Sequence, residues 1–224
     1  MVTVDRGGPG ITRKGEDRRA AILDAAAELF SEQGYRGASL ASVAAAVGLT
    51  QPGLLHYFPS KEALLLALLE NRYHLDGRRL TGALVGDGLS LLEALQGIVD
   101  SNQGSRSAVR LFTVLVAESI SAQHPAHEHF RRRYGKVRRR LESILRDEQR
   151  AGRIRTDVDL AQVVSIVVAV MDGLQSQWLI DPALDMSAVF RLFSQLLTGA
   201  LAPDRTERVR DSGVPADAGV VTGG

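Results

Sequence analysis

The chain has 224 residues, 45% of them apolar, with 27 Lys and Arg against 26 Asp and Glu for a formal net charge of +1. It is long enough for one large domain or a small and a medium one. The near-zero charge singles out no partner class, though a local basic surface can hide within it. Cysteine is absent, which excludes disulfides and thiolate metal sites and agrees with a reducing, cytoplasmic setting.

Residues 1–15 are glycine-rich with no apolar period and are expected to form a disordered arm. Their acids and glycines stand where a signal peptide needs an apolar run. Ile22, Ala26, Leu29 and Phe30 then recur on one face of a first helix, which Gly34 ends. Ser39 is placed to cap a short helix, Leu40–Val47, with Leu40, Val43 and Val47 inward. Ala41, Ala44, Ala45 and Ala46 are small enough for a neighbour to cross closely. Gly48 supplies a left-handed turn residue, and Thr50 caps a second short helix with Pro52 in its first turn. Two short helices joined by such a turn make a helix-turn-helix DNA reader.

Helical phase sorts the second helix. Leu54 and Phe58 fall inward, while Gln51, Pro52, Leu55 and His56 fall outward. Residues near the N-terminus of a recognition helix reach base edges in the major groove. There a glutamine can pair with adenine and an apolar side chain can touch a thymine methyl. Thr50, Tyr57 and Lys61 flank this face and suit phosphate contacts, which set register without reading sequence.

Ser60 caps a leucine-rich helix from Lys61 to about Leu80, after which Gly82, Gly86 and Gly88 are expected to break the chain. Ser90 caps a helix with Leu91, Leu95, Ile98 and Val99 on one side. A further helix runs from about Arg106 to Ser121, aligning Val109, Phe112 and Val116. Pro125 is expected to open a longer one, with Phe130, Tyr134, Val137, Leu141 and Ile144 at helical spacing, ended by Gly152. His124, His127, His129 and Glu128 near its start could not all meet one ion, so no metal site is expected. The arginines of that helix (131–133 and 138–140) read as a solvated face, with a second DNA surface as the alternative.

Asp159–Ile180 and Asp185–Ala202 are apolar nearly all round, which a helix wet on one side is not. The aliphatic stretch Val163–Met171 is too short to span a bilayer. A symmetric dimer would bury the second face of both helices, and Val163, Val167, Val170, Leu174, Phe190, Phe193 and Leu197 are assigned to that interface. Residues 203–224 read as a disordered tail. No phosphate loop, nucleophile elbow or HExxH helix is present, which speaks against an enzyme.

The landmarks AAILDAAAELFSEQGY, SLASVAAAVGL and GLLHYFPSKEALL, between Arg18 and about Leu69, resemble the N-terminal domain of TetR-type transcriptional regulators. The resemblance implies an all-α fold: a three-helix DNA-binding head, here 16–60, followed by a helical regulatory and dimerisation domain, here 61–202. It matches Ser39, Thr50, Tyr57 and Lys61 to phosphate contacts, and Gln51, Pro52 and His56 to base-facing positions. Where the family usually has tyrosine, this chain has Leu55, so only an apolar contact remains there. The motif MDGLQSQWLIDP (Met171–Pro182) resembles one subset of these regulators. A small-molecule pocket among the middle helices is implied, with Phe112, Glu118, Tyr134, Met171, Gln175 and Trp178 as candidate lining residues. The expectation is therefore a homodimeric repressor, without cofactor or membrane partner, released from double-stranded operator DNA by an effector. A ligand-independent architectural DNA-binding protein is the alternative, with an enzyme as a third reading.

Overall fold

The computed structural model describes residues 13–86 and 90–203. Among them are nine α-helices and no strand: α1 (Arg13–Gly37), α2 (Leu40–Ala46), α3 (Gln51–Tyr57), α4 (Lys61–Thr81), α5 (Leu91–Gln103), α6 (Arg106–Glu118), α7 (His127–Arg150), α8 (Leu160–Ile180) and α9 (Met186–Leu201). Most of the expected arm and tail, and Gly88, lie outside the described residues. The arm's expected end at Gly15 is corrected, because α1 already begins at Arg13, with Glu16 in its first turn where the helix dipole favours an acid.

Helix starts follow the polar caps. The Ser39 hydroxyl oxygen accepts from Ser42 N–H at 3.0 Å, Thr50 from Gly53 at 3.2 Å and Ser60 from Ala63 at 3.0 Å. Ser90 and Glu93 form a reciprocal capping box. Two expectations fail nearby. Gly82 does not break the chain: a π-helical turn, Gly82–Gly86, continues directly from α4, since one helical glycine costs only about 1 kcal/mol. Pro125 does not open α7, which starts at His127; the proline sits in the preceding turn.

Two apolar cores result. One joins Ile22, Phe30, Val43, Leu54, Phe58, Leu64 and Leu65 to Leu111, Leu115 and Phe130 of α6 and α7. The other joins Leu95, Val99, Leu141, Val164, Val167, Trp178 and Phe190 across α5, α7, α8 and α9. α4 belongs to both: Leu64, Leu65, Leu68 and Leu69 enter the first core and Leu80 the second. The expected division at 60/61 therefore corresponds to no break in packing.

The last two helices bury part of the expected dimer surface within the protomer itself. Val163, Val167, Leu174 and Phe190 are buried within the protomer, and Val170, Phe193 and Leu197 are half-buried against its core. Both faces of each helix are apolar, so periodicity could not tell which face the protomer itself covers. The face left open carries Ile166, Val189, Leu192 and Leu196, the last at 66% exposure. α8, at 21 residues, is also longer than its aliphatic stretch implied: by length and composition it could cross a membrane. Here Val163, Val164, Val167 and Val168 pack in the second core instead.

Candidate nucleic-acid interface and the cavity behind it

α3 lies with Leu54 fully buried and Phe58 nearly so, while Gln51, Pro52 and His56 are exposed and Leu55 is partly so. The outward face is thus the one helical phase assigns. Its orientation is fixed by contacts that periodicity does not reveal. The Arg18 guanidinium donates to the Val47 carbonyl at 3.0 Å, tying α1 to the end of α2. Arg19 sits 4.6 Å over the Phe58 ring. His56 and Tyr57 meet edge to face at 5.9 Å. The caps Ser39 and Thr50 are exposed; the Thr50 oxygen accepts from the backbone, so its hydroxyl proton can turn to a phosphate oxygen, whereas the Ser39 hydroxyl also shares a 2.8 Å hydrogen bond with that of Ser42.

Lys61 is drawn inward. Its ammonium donates to the Arg36 carbonyl at 3.4 Å and lies 4.6 Å from the Tyr35 ring centre. Burial lowers its pKa, and the Glu118 charge opposes that shift.

Glu118 does not line the cavity expected of it. α1 is interrupted at Gly34, whose φ of +70° turns the chain and exposes the next amide. Tyr35 N–H then donates to Glu118 Oε2 at 2.8 Å, closing a link from α1 to the end of α6. His124 completes the junction. It is buried, packs edge to face on Tyr35 at 5.1 Å, and its Nδ1 accepts from Ala126 N–H at 3.2 Å. That bond places the neutral ring's proton on Nε2, which lies 3.9 Å from Glu118 Oε2. His127 Nδ1 pairs with the Ser119 carbonyl, and Glu128 pairs with Arg131 and Arg132. Among the described residues no three His, Cys, Asp or Glu are grouped to hold a metal.

Burial depresses the His124 pKa; Glu118 opposes the shift and Arg36 adds to it. A histidine held below its unfolded value of about 6.5 contributes stability that is present above that pH and lost as pH falls through the folded value. Thermal stability is therefore expected to drop between pH 7 and pH 5. His124→Asn, which keeps an acceptor for Ala126, should reduce that drop, leaving the part due to His129, also depressed by burial. An identical pH dependence in the variant would refute the assignment.

A cavity of about 150 Å³ opens between α4, α5, α6, α7 and α8. Of the candidate lining residues, Phe112, Tyr134, Met171 and Gln175 line it, and Trp178 does not. Trp178 lies further along α8, buried under the Arg106 guanidinium at 5.2 Å. The composition-based reading missed Asn102, Arg133, Arg140 and Asp172. Asp172 was visible as the one charged residue of α8. Its carboxylate accepts from the Tyr134 hydroxyl at 2.7 Å. Burial raises the pKa of both groups.

Comparison with known proteins agrees with this architecture. Residues 22–68 match the tetR family of bacterial regulatory proteins. Residues 90–202, half of the chain, match the C-terminal part of BetI-type transcriptional repressors. The HTH-type transcriptional regulator YdgC of Bacillus subtilis is 26% identical over 196 residues, spanning 85% of this chain and 95% of that protein. The HTH-type transcriptional repressor AcnR of Corynebacterium efficiens is 28% identical over 163 residues, spanning 71% and 80%. The transcriptional regulator FadR from Bacillus subtilis, solved in complex with stearoyl-CoA, shares the fold with a TM-score of 0.70 at 18% identity, covering 80% of this chain and 97% of that one. With a helix-turn-helix head whose reading face is open and a helical body matched along its length, the chain belongs to the tetR family of transcriptional regulators, DNA-binding proteins rather than enzymes.

Proposed function

We propose that the protein is a dimeric cytoplasmic repressor that holds an operator through α3 and releases it when a small molecule fills the cavity beside α4. The observation that carries this reading is the double membership of α4. Leu64–Leu69 anchor it in the head, and Leu80 lines the cavity in the body. A ligand that prefers another position of α4 therefore changes the head's position. Two heads on one duplex must match half-sites about one helical turn, or a multiple, apart. By linkage, operator DNA must weaken such a ligand to the same degree. The FadR complex with stearoyl-CoA supports the capacity of this fold to take a ligand. Pairing of two copies through Ile166, Val189, Leu192 and Leu196 would cover the open face of α8 and α9.

Base reading is assigned to Gln51, Pro52, Leu55 and His56, and phosphate positioning to Ser39, Thr50, Tyr57 and Lys61. With an operator fragment selected from genomic DNA, Gln51→Ala is expected to cost about 1–3 kcal/mol of discrimination while keeping random-DNA binding. Equal losses on both DNAs, measured by fluorescence anisotropy, would remove Gln51 from the reading face. Lys61→Ala should weaken both DNAs and flatten the salt dependence by about one phosphate contact; an unchanged slope rules that contact out. Binding indifferent to sequence in the unaltered protein would instead favour an architectural role.

A further inference from the structure

The charges around the cavity are not evenly answered. Asp172, on α8, is met by the Tyr134 hydroxyl, and Arg133 and Arg138 counter the rise that burial imposes on its pKa. Arg140 lies two turns along α7 from Arg133, on the same face. It lines the cavity and is partly buried. Its partners among the described residues are both neutral and both on α4: the Gly77 carbonyl at 3.4 Å and the Thr81 hydroxyl. A guanidinium is charged at every physiological pH and presents a planar fork that fits a carboxylate in two parallel bonds. A long bond to a carbonyl and one to a hydroxyl leave that charge without a carboxylate partner among the described residues, beside a largely apolar cavity.

Apart from the polar Asn102 and Gln175, most of the remaining wall is apolar. Leu80, Leu95, Ile98, Val109 and Phe112 offer only apolar contact. An apolar protein cavity of about this volume accommodates one aromatic ring. The acid of Asp172 disfavours an anion at its own wall, so the charged group of a ligand is directed to the α7–α4 side.

Resting on the reading of this cavity as the effector site, we propose that it selects a compact carboxylate, an apolar body about the size of one aromatic ring with an anionic head, which Arg140 binds in exchange for its bonds to Gly77 and Thr81. Arg140 is thereby both the specificity determinant and the contact through which occupancy reaches α4. Before binding, the guanidinium tethers α7 to the helix that carries the head. After binding, the fork faces the carboxylate, and the α4 carbonyl and hydroxyl are released.

The test uses the full chain with three probes of one shape: phenylacetate, 2-phenylethanol and 2-phenylethylamine. Calorimetry is expected to show phenylacetate binding at least about tenfold tighter than the alcohol or the amine. In Arg140→Gln the preference should fall to near equality; in Arg140→Lys, which keeps the charge, part of it should remain. A thermal unfolding scan of each variant confirms that the fold is intact. Binding of the alcohol or amine as tightly as the acid, no binding of any probe, or an undiminished preference in Arg140→Gln each overturns the assignment. Anisotropy of the labelled operator fragment separates the two readings. If phenylacetate binds with the Arg140-dependent preference but leaves operator affinity unchanged, the anionic class stands, whereas the exchange with α4 and the effector reading fail.

Discussion

Leu192→Glu combined with Leu196→Glu is expected to yield a folded monomer that has lost operator affinity by about a hundredfold or more, because each head then binds without the gain of a tethered second one. Both side chains stand on the open face of α9 and contribute little to the protomer's own core. The double change should therefore leave the melting temperature of the isolated protomer nearly untouched while four like charges per pair oppose association. Sedimentation at micromolar concentration reads the first effect and operator titration the second. A variant that remains dimeric would move the interface to another surface. Phe190→Ala provides the contrast. That ring is completely buried within the protomer, so its loss should cost about 3–5 kcal/mol of folding stability.

The second large effect is expected at the joint between head and body. Gly34→Ala should destabilise the fold by about 3 kcal/mol. The left-handed backbone contributes about 1–2 kcal/mol of that, and the loss of a charged hydrogen bond about 1–3 kcal/mol. The bond is lost because a Cβ at Gly34 would run into the Glu118 carboxylate, which must swing off Tyr35 N–H to make room. For a chain of this size the melting temperature should fall by roughly 6–12 °C. Gly48→Ala is the control: its φ is also positive, at +67°, but nothing lies within 4 Å of the added methyl. It should cost only the backbone strain. Equal losses at the two glycines would show that the Glu118 contact carries no weight.

The head was largely legible in the sequence because its signals are local. Ser39 and Thr50 each satisfy an amide three residues on, and the phase of Leu54 and Phe58 is set within two turns. Which face of α8 and α9 stays open was illegible for a geometric reason. α8 and α9 are apolar on both sides, and only the placement of α5 and α7 decides that Val167 and Phe190 go inward while Ile166 and Leu192 stay out. Glu118 was misplaced for a related reason. Its partner, the Tyr35 amide, lies 83 residues away in the chain and is exposed by a backbone turn that composition does not announce. Arg140 was hidden among neighbouring arginines on α7, several of which serve local carboxylates such as Glu128 and Glu142. Only tertiary packing separates Arg133 and Arg140, which line the cavity, from the others.

The core that α1–α4 share with Leu111, Leu115 and Phe130 has a consequence for how the molecule comes apart. A fragment ending after α4 would expose the inner side of Ile22, Phe30 and Leu65 to water, so the reading head is not a portable module. Amide exchange in α1 and α6 should report a single cooperative unit rather than two. Grafting another relative's head onto this body requires a matching α6 as well: the unit that can be exchanged is the head together with the helix on which it rests.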